Sequence, residues 1–372
     1  MTVGQDRDVV RPATERSNGA LNVGSCKTPK VINPAHQFAN DGSDTEFWRS
    51  IVLFGLNVAS YKFALAKSLL ELASQGEEKV PLSELAVPFS RNICEHLVEV
   101  DRQGTFRSSK FLDACRYYNA GRINETELIT ATEILGFKNV IDAFHVVGGG
   151  EVPTRFFLDE RRLSLGGIRL TDEVLQLAQS PEVGSLTAEA EARWRLVEEA
   201  WSKEAAGEQV VVLYDAPREI LVPALTGKRK TLTGVRPALN GYQKGHCFYC
   251  YGSITVVNSD VDHFLPHSLM ARGMPVDLDG VWNLVLACQD CNRGSNGKFA
   301  SIPHARYLKR LSRRNEFLIG SHHPLRETLI LATGANESQR NVFLKECFTN
   351  GIWNDLNGHV ASLTKNIGPY SQ

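Results

Sequence analysis

Residues 245–298 read GHCFYCYGSITVVNSDVDHFLPHSLMARGMPVDLDGVWNLVLACQDCNRGSNGK. Two Cys-x-x-Cys pairs frame the stretch, Cys247/Cys250 and Cys288/Cys291, with 37 residues between them. Thiolates are soft ligands, and four of them close a tetrahedral zinc site. The paired spacing lets both sulfurs of a knuckle reach one ion, and such pairs argue for metal over disulfide in a cytosolic chain. The gap exceeds the usual zinc-ribbon spacing, so a further folded element is expected between the knuckles. Cys26, Cys94, Cys115 and Cys347 are scattered and read as small apolar residues.

Between the knuckles, Val261-Asp262-His263-Phe264-Leu265-Pro266 places an acid beside a histidine at the end of an apolar strand. Adjacent strand residues face opposite ways, so a bend or bulge is required for both to serve one centre. Val281 to Cys288 reads as a second strand carrying the polar Asn283, and Asn292 follows Cys291, ahead of Arg293 and Lys298.

This segment resembles the HNH endonuclease family. Paired knuckles, Asp-His-x-x-Pro, Asn-Leu-Val and Cys-Asn-x-x-x-x-x-Lys stand in the family's order from Gly245 to Lys298. The resemblance implies a hairpin and a helix around one catalytic ion, a ββα-metal core with a treble-clef-like four-cysteine zinc site. It makes Asp262 and Asn292 the ligands of a catalytic Mg²⁺ or Mn²⁺, His263 the general base and Asn283 the residue that orients it. The third name-giving position is often histidine; Asn292 stands there, as in the HNH domain of RNA-guided DNA cutters, which share its Asn-Arg-Gly run. The chemistry asks for the same groups: a neutral imidazole accepts a proton from water, and a carboxylate with an amide oxygen suits a hard cation. Arg293 or Lys298 is expected to clamp a phosphate. His267 is an additional ligand candidate and Asp260 a supporting partner; His246, His304, His322 and His323 read as structural or surface residues.

Charge is unevenly spread. Leu225 to Gly320 carries thirteen Lys/Arg and six Asp/Glu, a net of +7, in a chain whose net charge is −1. Such a local excess suits a polyanion. Basic stretches flank the module at 227–237 and at 305–317, the latter with Lys309, Arg310, Arg313 and Arg314, and these are expected to track phosphates.

The rest of the 372 residues, 42% hydrophobic and 22% charged, has the composition of a globular chain with length for a real core. No apolar run is long enough to span a bilayer, and the N-terminus lacks a signal-peptide core; a cytoplasmic location is expected. Residues 1–43 read as a loosely held arm, and 44–224 as a mostly helical recognition or oligomerisation domain. Residues 225–320 form the nuclease module and 321–372 a helical tail, an α+β protein in all. Within 44–224, one long helix is expected from an Asp44-Thr45 cap to Gly76, another from Ser83 to Val100 broken or kinked at Pro88, and a third capped by Asn124. Strands around the glycines at 148–150, helices over 164–180 and 187–203, and a strand at 209–214 complete it. His145, Asp215 and Glu219 read as structural.

The expected activity is metal-dependent hydrolysis of nucleic acid, most readily double-stranded DNA, and the family association points to restriction or phage defence. The rivals are a zinc-stabilised DNA-binding protein without catalysis and an RNA-directed nuclease. Asp262, His263 and Asn292 together argue against the first; no residue discriminates the second.

Overall fold

The computed structural model describes residues 42–54, 57–106, 108–224, 231–321 and 323–358. The chain divides between Ile32 and Asn33, and every described residue belongs to the second unit, Asn33–Gln372. The arm expected at 1–43 lies outside the described residues apart from Gly42 and Ser43.

Ser43, one residue ahead of the expected cap, starts helix α1 (Asp44–Leu53), its Oγ accepting from the Glu46 N–H at 3.3 Å. The single helix expected to Gly76 is instead two, α2 occupying Tyr61–Ser74. A non-local pairing intervenes: Ala59 bridges Gly104, and the Ser60 N–H donates to the Gln103 carbonyl at 3.1 Å. Backbone groups satisfied across the fold are not available to extend α1. Strand β1 (Lys79–Pro81) leads to α3 (Leu82–Glu99), which runs unbroken through Pro88. Helix α4 covers Lys110–Asn119, and α5 (Glu125–Ala131) opens on the expected capping box of Asn124 and Glu127. After the short α6 (Val140–Ala143), strands β2 (Val146–Val147) and β3 (Gly150–Glu151) pair across Gly148 and Gly149, at φ 61° and 88°.

The helix expected over 164–180 begins only at Asp172. Ahead of it, β4 (Phe157–Glu160) and β5 (Gly167–Leu170) join β1 in an antiparallel sheet. Gly167 permits that approach, because a Cβ there would lie 2.0 Å from the Val80 carbonyl oxygen. Helices α7 (Asp172–Gln179) and α8 (Val183–Ala205) follow. The buried polar face of α8 organises the helical core. His96 stacks on Trp194 with centroids 3.5 Å apart, its ring nitrogens 2.7 Å from Glu198 and 3.2 Å from Glu191.

A three-stranded sheet, β6 (Val212–Asp215), β7 (Ile220–Pro223) and β8 (Thr233–Gly234), crosses the boundary expected near 224. Helix α9 (Val235–Asn240) then delivers the chain to the first cysteine knuckle. Glu189 of α8, 2% exposed, accepts from Arg49 of α1 at 2.9 and 3.0 Å and from Asn240 of α9 at 2.7 Å. One carboxylate thus ties the helical part to the entry of the cysteine-framed segment. That segment contributes β9 (Ser259–His263), β10 (Leu284–Cys288) and the short α10 (Gln289–Arg293). Helices α11 (Arg306–Gly320), α12 (Arg326–Thr333) and α13 (Glu337–Gly358) close the chain. Thr328 of α12 accepts from the Val212 N–H at 3.0 Å, so the tail packs against β6 as well. The protein is a mixed helix-and-sheet structure with small sheets and one four-cysteine site.

Candidate functional site

The four cysteines converge. Sulfurs of Cys247, Cys250, Cys288 and Cys291 all lie within 4.8 Å of one another, with Cys247 and Cys291 buried. Among the described residues this is the one cluster of three or more His, Cys, Asp or Glu arranged to hold an ion. The knuckle is built for thiolates: the Tyr249 and Gly252 N–H groups point at the sulfurs of Cys247 and Cys250, each at 3.4 Å. The hydrogen bond between Cys291 and Cys247 pulls the Cys247 thiol below its ordinary value against its burial and pushes Cys291 up. The donor set and its spacing fit structural zinc. Gln243 fastens the knuckle to the hairpin, its side chain pairing with the Leu286 N–H at 2.8 Å and carbonyl at 2.9 Å like a strand residue.

Strands β9 and β10 pair antiparallel without interruption, from Ser259 opposite Cys288 to His263 opposite Leu284. The bend needed to bring Asp262 and His263 together is absent, so strict alternation sends them apart. Asp262, 6% exposed, turns inward. One oxygen accepts from the Tyr249 hydroxyl and the other from the Lys298 ammonium at 2.9 Å. Lys298, 1% exposed, also donates to the His263 carbonyl at 2.8 Å and the Phe299 carbonyl at 3.2 Å. The expected phosphate clamp is therefore a buried lock between the strand and the segment after α10.

Asn292 meets a different acid. Its amide donates to Asp260 at 3.1 Å, and Arg293 reaches the same carboxylate at 3.0 and 3.1 Å. Asp260 and Asn292 together offer the carboxylate and amide oxygens a hard divalent cation takes. Both carboxylates are engaged at each oxygen, Asp260 by Asn292 and Arg293 and Asp262 by Tyr249 and Lys298, but only Asp260 stands beside Asn292. The fold thus does not bring Asp262 and Asn292 together as expected; Asn292 pairs with Asp260 instead.

His263 lies half-buried on the opposite side of the strand. Its Nε2 is 2.8 Å from Asp279, whose other oxygen is 3.5 Å from His267. Nδ1 makes no hydrogen bond with the described residues. Tyr214, from β6, places its ring 5.9 Å from the imidazole. Burial pushes His263 below its ordinary value against the pull of Asp279, which favours the neutral ring at pH 7. Asn283, fully buried, does not touch the imidazole. Its side chain accepts from the Leu265 N–H at 2.8 Å and donates to the carbonyls of Leu265 and Leu278 at 2.9 and 2.8 Å. It fixes the loop that leaves His263, and does not orient the ring by direct contact as expected. Asp279 and Tyr214 were not legible as site residues, since neither belongs to a local motif.

The basic helix divides as well. Lys309 and Arg313 of α11 are exposed. Arg310 donates to the carbonyls of Phe248 and Tyr249, bracing the knuckle. Arg314 is buried against the carbonyls of Val281 and Trp282, so it is not part of an exposed phosphate track. Residues 227–230 of the other basic flank lie outside the described residues, as does His322. No described helix is long and apolar enough to cross a membrane. No family model, curated protein or solved structure matches the chain.

Proposed function

We propose that this protein is a metal-dependent endonuclease of HNH type that hydrolyses phosphodiester bonds, with DNA as the preferred substrate. The observation that carries the reading is His263: a half-buried imidazole held at Nε2 by Asp279, with Nδ1 making no hydrogen bond among the described residues. A carboxylate on one nitrogen fixes the tautomer and leaves the other as proton acceptor. His263 takes the proton of the attacking water at Nδ1. Asp279 steadies the imidazolium that results, and Asn283 holds the loop on which both depend. Asp260 and Asn292 would hold a Mg²⁺ or Mn²⁺ ion, which when bound offsets charge on the phosphate. Structural zinc on the four cysteines sets the hairpin against α10. Arg293 and the exposed Lys309 and Arg313 supply phosphate contacts.

One observation favours a second reading, nucleic-acid binding without cleavage: the carboxylate of Asp262 is taken by Lys298. The experiment is incubation of the purified full chain with plasmid DNA and with RNA, in Mg²⁺, in Mn²⁺ and in EDTA. Metal-dependent cleavage that EDTA abolishes supports the nuclease, and the polymer cut assigns the substrate. Retention of DNA with no cleavage in either metal supports the binder and rejects the proposal.

A further inference from the structure

A cavity of about 800 Å³ lies behind the first cysteine knuckle, between it and α11. It shares no residue with the constellation of His263, Asp279, Asp260 and Asn292. Its lining is unusual in charge. Arg310, Arg313 and Arg314 all contribute, and none has a carboxylate partner among the described residues. Glu316, on the same wall, is already held by Arg340 through both oxygens at 2.6 Å. Arg314 is the most telling of the three. It is 7% exposed, its Nε has no hydrogen-bond partner, and its terminal nitrogens rest on backbone carbonyls at 3.2 to 3.4 Å. Burial without an acid lowers its pKa to about 9. A buried guanidinium with no acid beside it is costly, and an anion in the adjoining cavity offsets part of that cost through its field.

The remaining wall is mixed, with Lys244, Gln243, Ser312 and Glu337 beside several aromatic rings. Phe248 and Phe317 contribute, and Tyr251, 49% exposed, stands with its ring 4.6 Å from that of His246. Tyr251 is held there in the left-handed region, at φ 65°. Guanidinium groups pair with phosphate in fork geometry, and exposed aromatic rings stack on nucleobases. The volume lies within the range of small-ligand sites.

We propose that this cavity is a nucleotide site, a phosphate held by the exposed Arg313 with the buried charge of Arg314 behind it, and a base stacked on Tyr251. Cys247 and Phe248 form part of its wall, so occupancy bears on the knuckle that positions the hairpin. Arg313 is also a phosphate contact in the nuclease reading, so the test measures binding without cleavage and Tyr251→Ala, outside that reading, separates the two. Two sources share the chemistry: a free nucleotide, or the phosphorylated end of a nucleic-acid strand.

The test is isothermal titration of the zinc-loaded full chain with inorganic phosphate, AMP and a 5′-phosphorylated trinucleotide, without Mg²⁺. AMP should bind roughly tenfold or more tighter than phosphate, the worth of one stacked base. Arg313→Gln, at an exposed position, should weaken every phosphorylated probe about tenfold. Tyr251→Ala should weaken AMP and leave phosphate unchanged. Tighter binding of AMP than of the trinucleotide assigns a free nucleotide; the reverse order assigns a strand end. Absence of saturable binding of any probe up to about 1 mM, or binding indifferent to both substitutions, overturns the proposal.

Discussion

Replacing Lys298 by methionine separates two roles for this residue, phosphate clamp and internal lock. The ammonium is 1% exposed and makes three hydrogen bonds, to Asp262, the His263 carbonyl and the Phe299 carbonyl. Methionine fills the volume but leaves Asp262, 6% exposed, with the Tyr249 hydroxyl as its one partner among the described residues. Breaking a buried pair by removing one member costs about 3–5 kcal/mol, mostly the stranded charge. For a cooperative unit the size of Asn33–Gln372, that converts to a fall in Tm of roughly 4–8 °C. The double variant Lys298→Met with Asp262→Asn removes both charges and should recover most of the loss, a coupling of about 2–3 kcal/mol. Thermal melts of the four proteins at equal zinc content give the cycle, and DNA retention at two salt concentrations gives the other readout. A Lys298→Met protein as stable as wild type, with weakened and less salt-sensitive DNA binding, would refute the lock and restore the clamp.

Other outcomes follow from the same structure. Purified protein should carry one zinc per chain, and Cys288→Ser should lose it and lower the Tm of the whole unit, since metal binding and folding are coupled; elemental analysis near zero in a folded wild type would contradict this. His96, although burial disfavours its charge, is raised by Glu191 and Glu198. Its contribution is therefore complete below the unfolded value of about 6.5 and lost as pH rises through the folded value. Melts across that window should show the gap between wild type and His96→Gln closing as pH increases, and a gap that widens would reverse the sign. Asn283→Ala removes three hydrogen bonds around Leu265 and Leu278 and should cost about 2–4 kcal/mol together with part of the cleavage rate. Unchanged melting would show that the loop is held by other contacts.

The four-cysteine site was legible because thiolate softness and the x-x spacing act locally, and Asn124 declared its helix start for the same reason. What the chain alone concealed depends on distant partners. The break between α1 and α2 comes from pairing with residues 103–105, which no local pattern at 54–60 announces. Lys298 and Arg314 read as surface charges, since burial of a cation is decided by the tertiary contacts around it. The Asp262–His263 pair suggested a shared centre, but the uninterrupted β9–β10 register forces alternation and hands the amide of Asn292 to Asp260. Asp279 lies 16 residues beyond His263 in a loop without a motif, and Tyr214 comes from a sheet that the sequence placed at a domain edge.

The nuclease reading stands on His263, and single-turnover cleavage of DNA by wild type and His263→Ala across a Mg²⁺ titration tests it most directly. The account predicts that the variant keeps its fold, zinc and DNA affinity while cleaving roughly 10²–10⁴-fold more slowly. Equal rates for the two proteins, with contaminating nuclease excluded, would contradict it.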